Sequence, residues 1–434
     1  MFMYIWVRFC QCIFKYLNAI LKVAFGYSLF SGKVEEAKSC REDYAYSVHR
    51  CNILTKGKMI ETEPASRHHF LLTHDSYDHP NVLKADNVAL LSVTETHALF
   101  VEGPPGFNFY GSEQSPFTFI VHFKYAQKVL AIRLDHFLKF AQELGPPKDK
   151  NIIFICTTGR CGSTLLTQMM DGIPNTLSMS EPDFITLLAN GKKPSPKSLV
   201  RSRSDSDELL RALIYVQCKD LTKTKVDNYV VKLRPSIVAI AHRIARVCPE
   251  IKHIFAYRSP EKTVASFINT VKLFPTWVFR LVFKKYVWKV YESIKPDDPE
   301  LDKFFVKMIE NSMQKYDHVR CWTEIVLTFY LFCKTYQEKK LVDFQPVAYE
   351  ELLAQPEMEI MKILRHCSIQ TTCMNDLLLP LQNDSQKGSP LSRDNVRKVK
   401  APDFTDAQIL TIERTLAHFG FPQLTEFRHF FEPV

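Results

Sequence analysis

Between Asn151 and Leu166 the chain reads N-I-I-F-I-C-T-T-G-R-C-G-S-T-L-L. An apolar run enters a tight loop holding Gly159, Arg160, Cys161 and Gly162, and a helical pattern opens with Ser163 and Thr164. Glycines let a backbone approach a phosphate closely. The first turn of a helix presents unpaired N–H groups and the positive end of its dipole. Ser163 and Thr164 add hydroxyl donors, and Arg160 adds a fixed positive charge on a planar donor fork. These residue types in this order point to a phosphate-binding loop. The common ATP/GTP loop is GxxxxGK[ST]. Here the loop is shorter, no Lys separates Gly162 from Ser163, and the cation stands two residues before Gly162. That departure counts against an ATPase or kinase.

A second anion site is spelled after another apolar run, Ile251 to Tyr257. Arg258 follows it directly. Ser259 is a natural N-cap, Pro260 suits the first helical position and Glu261 suits the first turn. Ser266 then lies about two turns into the helix. A strand-end Arg and a helix Ser, eight residues apart, can grip one phosphate between them.

The two segments together resemble the donor site of the P-loop sulfotransferases. Their 5′-phosphosulfate loop has Lys or Arg, any residue, Gly, then two Ser/Thr. Their 3′-phosphate site has an Arg after a strand and a Ser eight residues on. Val347-Ala-Tyr-Glu-Glu-Leu-Leu353, with Pro356, resembles the YEDL-type segment late in the same family. Gly388 to Arg393 resembles the loop that closes over the donor. The resemblance spans about 150 to 430 and leaves the N-terminal part uncovered.

It implies an α/β fold and 3′-phosphoadenosine 5′-phosphosulfate as cosubstrate, with no metal. The reaction implied is transfer of a sulfuryl group to a hydroxyl of a carbohydrate, a protein tyrosine or a small molecule. The implied donor-binding residues are Gly159, Arg160, Cys161, Gly162, Ser163, Thr164, Arg258, Ser266 and Arg393. An Arg cannot act as a general acid at ordinary pH, so Arg160 is expected to stabilise charge on the leaving phosphate and the migrating group. An Arg in the loop is nearer to the tyrosylprotein and carbohydrate types, which place a Glu shortly after the loop helix. Glu181, 21 residues after Arg160, is the implied base. Lys232 resembles the family's strand-end Lys that faces the sulfuryl group or the acceptor. Read without the resemblance, Glu181 also suits the first turn of a helix starting near Pro182, and Lys232 a surface position. His242 and His253 are alternative bases in apolar contexts. Two other classes stay open: another P-loop phosphotransferase, and a non-catalytic nucleotide-binding protein.

The elements that must position these residues follow from hydrophobic periodicity. From Asn151 onward short apolar runs alternate with helical patterns: Asn151–Cys156, Tyr229–Leu233, Ile251–Tyr257 and Gln345–Tyr349. That alternation predicts a parallel sheet flanked by helices, with its site at the carboxyl ends of the strands. Upstream, His69–Thr73, Val88–Thr94, His97–Glu102 and Phe117–Phe123 read as strands between Asp/Asn/Gly/Pro turns. Leu134–Leu144 reads as a helix stopped by Gly145-Pro146-Pro147. Residues 31 to about 60 are polar and mixed, and read as a linker or lead-in. The organisation expected is a 1–30 membrane-associating segment, a 31–147 β-rich domain or extension, and a 148–434 sulfotransferase-like domain.

Residues 1–30 are apolar, with Arg8, Lys15 and Lys22 seven residues apart on one narrow stripe. No uncharged run reaches the roughly 18 residues of a spanning helix. The segment lacks the layout of a cleaved signal peptide. An interfacial amphipathic helix is one reading, a short anchor with snorkelling lysines another, and a helix packed on the protein's own core the third. A membrane-associated, Golgi-type setting is the expectation and a cytoplasmic one the alternative. Lys272 to Tyr291 interleave aromatics with cations, as an acceptor-site lid, a membrane-facing helix or a packed helix would. A net charge of +9 suits an anionic ligand or surface. The cations are dispersed, so nothing singles out nucleic acid. None of the 12 cysteines falls in a CxxC pair or at zinc spacing. Cys156, Cys218 and Cys333 read as small buried hydrophobes, while Cys367 and Cys373 are close enough to pair under oxidising conditions.

Overall fold

The computed structural model describes Met3, residues 5–9, Ile13, and residues 43–58, 61–111, 115–186, 203–271, 299–314, 317–370, 374–389, 391–392, 394–395, 398, 403–427 and 430–431. Arg393, Cys373, Lys272–Tyr291 and most of residues 1–30 lie outside them.

The upstream part opens with β1 (Val48–Lys56), β2 (Phe70–Asp78), β3 (Val88–Val93) and β4 (His97–Glu102). Helix α1 (Thr118–Tyr125), β5 (Lys128–Arg133) and α2 (Leu134–Leu144) complete it. Its five strands form one antiparallel sheet in the order β2-β1-β5-β4-β3. Two expectations are corrected here. The lead-in contains a full strand, β1, paired between β2 and β5. Its polar side chains find partners in the fold rather than turning out in a clean alternation: Arg50 Nε donates to Glu102 on β4 at 2.8 Å, and Lys56 Nζ donates to the carbonyl of Ala126, the residue after the helix Thr118–Tyr125, at 2.7 Å. The segment read as a strand at Phe117–Phe123 is the helix α1. Its Thr, Ile, Val and Phe favour strands only as a fit to a pleated surface. Here Thr118, Phe119, Val121 and His122 are buried on a helical spacing instead.

Downstream the chain alternates. The first half runs β6 (Asn151–Thr157), α3 (Ser163–Met170), β7 (Thr176–Ser180), α4 (Arg203–Gln217), β8 (Asn228–Lys232) and α5 (Ala241–Val247). Then come β9 (Lys252–Tyr257), α6 (Pro260–Val271), α7 (Pro299–Gln314), α8 (His318–Glu338) and β10 (Phe344–Ala348). Helices α9 (Tyr349–Ala354), α10 (Pro356–His366), α11 (Met374–Leu378) and α12 (Asp406–His418) follow. The five strands are parallel, in the order β10-β9-β6-β8-β7. The fold class expected, a helix-flanked parallel sheet behind a β-rich N-terminal region, is the one observed.

Both faces of this sheet are covered, as parallel sheets require. Along β6, Ile152, Phe154 and Cys156 face one apolar core, and Ile153 and Ile155 face the other. The first strand, β6, is central, with β8 on one side and β9 on the other. The chain therefore reverses its direction of winding beside β6, the place where open α/β sheets bind ligands.

The two sheets are joined by buried polar contacts as well as by a shared core. Lys219, 3% exposed, donates to the carbonyls of Leu83, Ala85 and Val88 at 2.6, 2.8 and 2.8 Å. Among the described residues, no helix is long and apolar enough to cross a membrane.

Candidate active site

β6 ends in the loop Thr158–Gly162. Gly159 and Gly162 hold φ near +75°, and a side chain at either would collide. A Cβ at Gly159 would lie 2.7 Å from the Phe267 ring, and one at Gly162 would lie 2.2 Å from the Tyr349 ring. Only glycine lets the backbone pass so close to these rings. Arg160 between them has φ +55°, a conformation costly for any residue with a Cβ. Cys161 is turned inward, its thiol 3.2 Å from the Ala256 carbonyl, so only its backbone is offered to a ligand. The Thr157 hydroxyl reaches Ser163 Oγ at 3.3 Å. Helix α3 opens there and directs its first turn at the end of the sheet.

The second strand end meets this loop. β9 pairs with β6 over Thr157↔Ala256, and Arg160 Nε donates to Ser266 Oγ at 2.9 Å. Arg160 also donates to Gln386 Oε1 at 3.3 Å, and Gln168 Nε2 to the Ser385 carbonyl at 3.0 Å. The segment just before Gly388 therefore lies over the loop and the first turns of α3. The Arg258 guanidinium stacks 4.9 Å above the Tyr349 ring, which also lies against Gly162. Arg258 Nε lies 3.9 Å from Glu350 Oε1 as an ion pair, and both it and the Ser259 hydroxyl are buried without a hydrogen-bond partner among the described residues. Buried polar atoms of this kind call for a partner, and here they are a cation and a hydroxyl beside the phosphate-type loop.

Glu181 and Lys232 come together at the ends of β7 and β8. The Lys232 ammonium is paired with Glu181 Oε1 and lies 3.5 Å from Thr164 Oγ1. Lys232 is 4% exposed at its side chain, so it is not a surface lysine. Arg234 reaches the second Glu181 oxygen at 3.8 Å. Glu181 has φ +56°, and its N–H donates to the Lys232 carbonyl at 2.7 Å. Burial pushes the Glu181 carboxyl up, but Lys232, Arg234 and Arg160 outweigh it and hold the carboxyl below the usual range. His253 stands apart, a buried ring in β9 between Phe154 and Phe344, and burial pushes its imidazole down to about 3. His242 packs against Tyr336.

Sequence reasoning did not single out several residues of this cluster. Phe267 and Gln386 touch the loop and Asp183 holds Arg234, but their types carry no signal before the fold joins them. Arg234, two residues beyond Lys232, repeats the strand-end cation and was legible in principle.

The sulfotransferase domain family model matches residues 150–408. The chain belongs to the sulfotransferase family. No curated protein matches it. Among solved structures it is similar to a sulfotransferase from Mycobacterium avium, at 11% identity and TM-score 0.35, covering 67% of this chain and 82% of that one. It is also similar to a sulfotransferase from Alicyclobacillus acidocaldarius, at 11% identity and TM-score 0.33, covering 64% and 96%. A third is a mouse sulfotransferase complexed with PAP, at 14% identity and TM-score 0.31, covering 66% and 91%. As a sulfotransferase the chain is a transferase enzyme that moves a sulfuryl group. The family uses 3′-phosphoadenosine 5′-phosphosulfate, and no cluster among the described residues could hold a metal.

Proposed function

We propose that this chain binds 3′-phosphoadenosine 5′-phosphosulfate across the ends of β6 and β9 and passes its sulfuryl group to an acceptor hydroxyl. The observation that carries the reading is the Arg160–Ser266 bond, which joins the Gly159–Thr164 loop to the helix that starts beside Arg258. Arg258 Nε, which makes an ion pair with Glu350 but no hydrogen bond, and the Ser259 hydroxyl suit a phosphate at that second strand end. The donor supplies the group to be transferred. In this reading the loop N–H groups with Ser163 and Thr164 hold its 5′ side, and Arg258 and Ser266 hold its 3′-phosphate. Arg393 belongs to the same proposal on sequence alone.

Sulfuryl transfer, like phosphoryl transfer, needs positioning and electrostatic stabilisation more than covalent chemistry. Arg160 and Lys232 are the cations placed for it, and Lys232 stands between the Glu181 carboxylate and Thr164. Glu181 takes the acceptor proton. It is ionised at neutral pH, so the accepting form is present. The acceptor classes that fit are a carbohydrate, a protein tyrosine or a small alcohol.

Residues 148–434 form the transferase unit in this reading, and 31–147 a β-rich partner to it. Attachment to a membrane surface is supported by Ile5, Trp6 and Phe9, which are more than half exposed around the buried Val7. Arg8 NH1 lies 3.2 Å from the His68 ring.

The 3′-phosphate assignment is tested with two nucleotides. Losing a hydrogen bond to a charged group costs about 1.5–3 kcal/mol. Arg258→Ala and Ser266→Ala should therefore weaken adenosine 3′,5′-bisphosphate by roughly 10- to 100-fold while changing AMP by less than about twofold. Equal losses for both nucleotides would place the two residues elsewhere than at the 3′ side.

A further inference from the structure

The residues around Glu181 are not all drawn from the matched segment. Ser180, the residue before it, donates its N–H to Thr118 Oγ1 at 3.0 Å. Asp183, two residues after it, accepts from the Ala65 N–H at 2.9 Å and is 1% exposed. The two cations ion-paired with the Glu181 carboxylate, Lys232 and Arg234, are supported from the same side. Lys232 Nζ lies 5.2 Å from the centre of the Phe117 ring. Arg234 lies 4.4 Å above the Phe119 ring, donates to the Thr62 carbonyl at 3.1 Å and to Asp183 Oδ1 at 2.9 Å. Thr62, Ala65, Phe117, Thr118 and Phe119 all precede residue 150, where the family match begins.

Glu181 holds a left-handed backbone conformation. A residue with a Cβ keeps such a conformation only where its surroundings over-determine it. Here Ser180 and Asp183 on either side of it, and the Lys232 and Arg234 paired with it, are all contacted by residues of the N-terminal region. A ring face attracts an ammonium through its quadrupole, so Phe117 fixes where the Lys232 charge sits and, through it, how strongly the Glu181 carboxyl is held ionised.

We propose that the N-terminal β-rich region is a working part of the catalytic centre, in which Phe117 and Thr118 are positioning residues acting on Glu181 through Lys232 and Ser180. The role assigned rests on the reading of Glu181 as base, and the test separates the two claims.

The full chain is labelled with carboxyl-¹³C glutamate, and the Glu181 signal is identified by its loss in Glu181→Gln. The midpoint of its titration is then measured in the variants, along with release of adenosine 3′,5′-bisphosphate from the donor in water and calorimetric binding of that bisphosphate. Phe117→Leu keeps apolar bulk and removes the ring. It should raise the midpoint by roughly half a pH unit. It should also lower turnover by about threefold or more and leave bisphosphate binding within about twofold. Phe117→Trp, which keeps a ring, should recover both. Thr118→Val should follow Phe117→Leu, and Thr118→Ser, which keeps the acceptor oxygen, should recover. If Leu and Trp at 117 behave alike, or the midpoint stays put in Phe117→Leu and Thr118→Val, the region only packs and the proposal is overturned. Should Glu181→Gln keep wild-type turnover, the base assignment fails, and the titration midpoints still decide the positioning claim on their own.

Discussion

Glu181→Gln should lower turnover by about 10²–10⁴-fold, the usual contribution of a general base, while binding adenosine 3′,5′-bisphosphate about as the wild type does. The amide keeps the size of the side chain and still accepts from Lys232 through its oxygen, so the loop and Arg258 are left in place. What it loses is the site for the acceptor proton. The pH dependence follows from the local charges. Burial alone would raise the carboxyl, but Lys232, Arg234 and Arg160 hold it below the ordinary glutamate range. The accepting, ionised form is present above that lowered value. Turnover should therefore hold as pH falls through the ordinary glutamate pKa of about 4.3, and drop only below it, in enzyme that stays folded. A loss of turnover centred well above that value would assign the step to another group. Unchanged turnover in Glu181→Gln would remove Glu181 from the chemistry. If the chain only bound nucleotide, neither the substitution nor acid would affect release of the bisphosphate from its sulfated form, because wild type would release none.

The second large effect is expected at Arg160. Its guanidinium touches Ser266 and Gln386 and stands among the cations around Glu181. Removing one preorganised donor aimed at developing charge costs about 10²–10³-fold in turnover, so Arg160→Ala should fall in that range. It should also weaken the bisphosphate, because Arg160 ties the two strand ends together. Arg160→Lys keeps the charge but not the fork and should recover only part of the loss. The backbone supplies a control. Arg160 sits at φ +55°, where a Cβ costs about 1–2 kcal/mol. Arg160→Gly should therefore be about 1 kcal/mol more stable to denaturant than Arg160→Ala while being equally inactive. Such a pair shows that the lost turnover comes from the missing guanidinium rather than from unfolding. Wild-type turnover in Arg160→Ala would contradict the electrostatic role.

Much of this was legible in the chain because strong local rules agreed with the fold. The run from Asn151 into Gly159 and Gly162 reads as strand, loop and helix, since the apolar strand is buried on both faces and the glycines occupy left-handed positions. Arg258 and Ser266 were legible because a cap, a proline and an acid marked the helix between them. Leu134–Leu144 was bounded by its Gly-Pro-Pro stop. The reading was weak where long-range contact decides. β1 carries Arg50 and Lys56, whose partners lie on other strands and at the end of α1. α1 has a strand-like composition that its packing overrides. β7, Thr176–Ser180, is a short run with a single β-branched residue, although the turn sequence Asp171 to Asn175 precedes it. The contacts of Phe117, Thr118 and Ala65 with the Glu181 cluster join residues far apart in the chain, and no spacing rule reaches that far.

One doubly phosphorylated adenosine bridging β6 and β9 is the central claim, and isothermal titration tests it most directly. Adenosine 3′,5′-bisphosphate, ATP and ADP are titrated into the full chain under one set of salt and pH conditions. The account predicts that the 3′,5′-bisphosphate binds clearly more tightly than either ATP or ADP, because Arg258 and Ser266 have a 3′-phosphate to hold only in that ligand. Equal or tighter binding of ATP would contradict it.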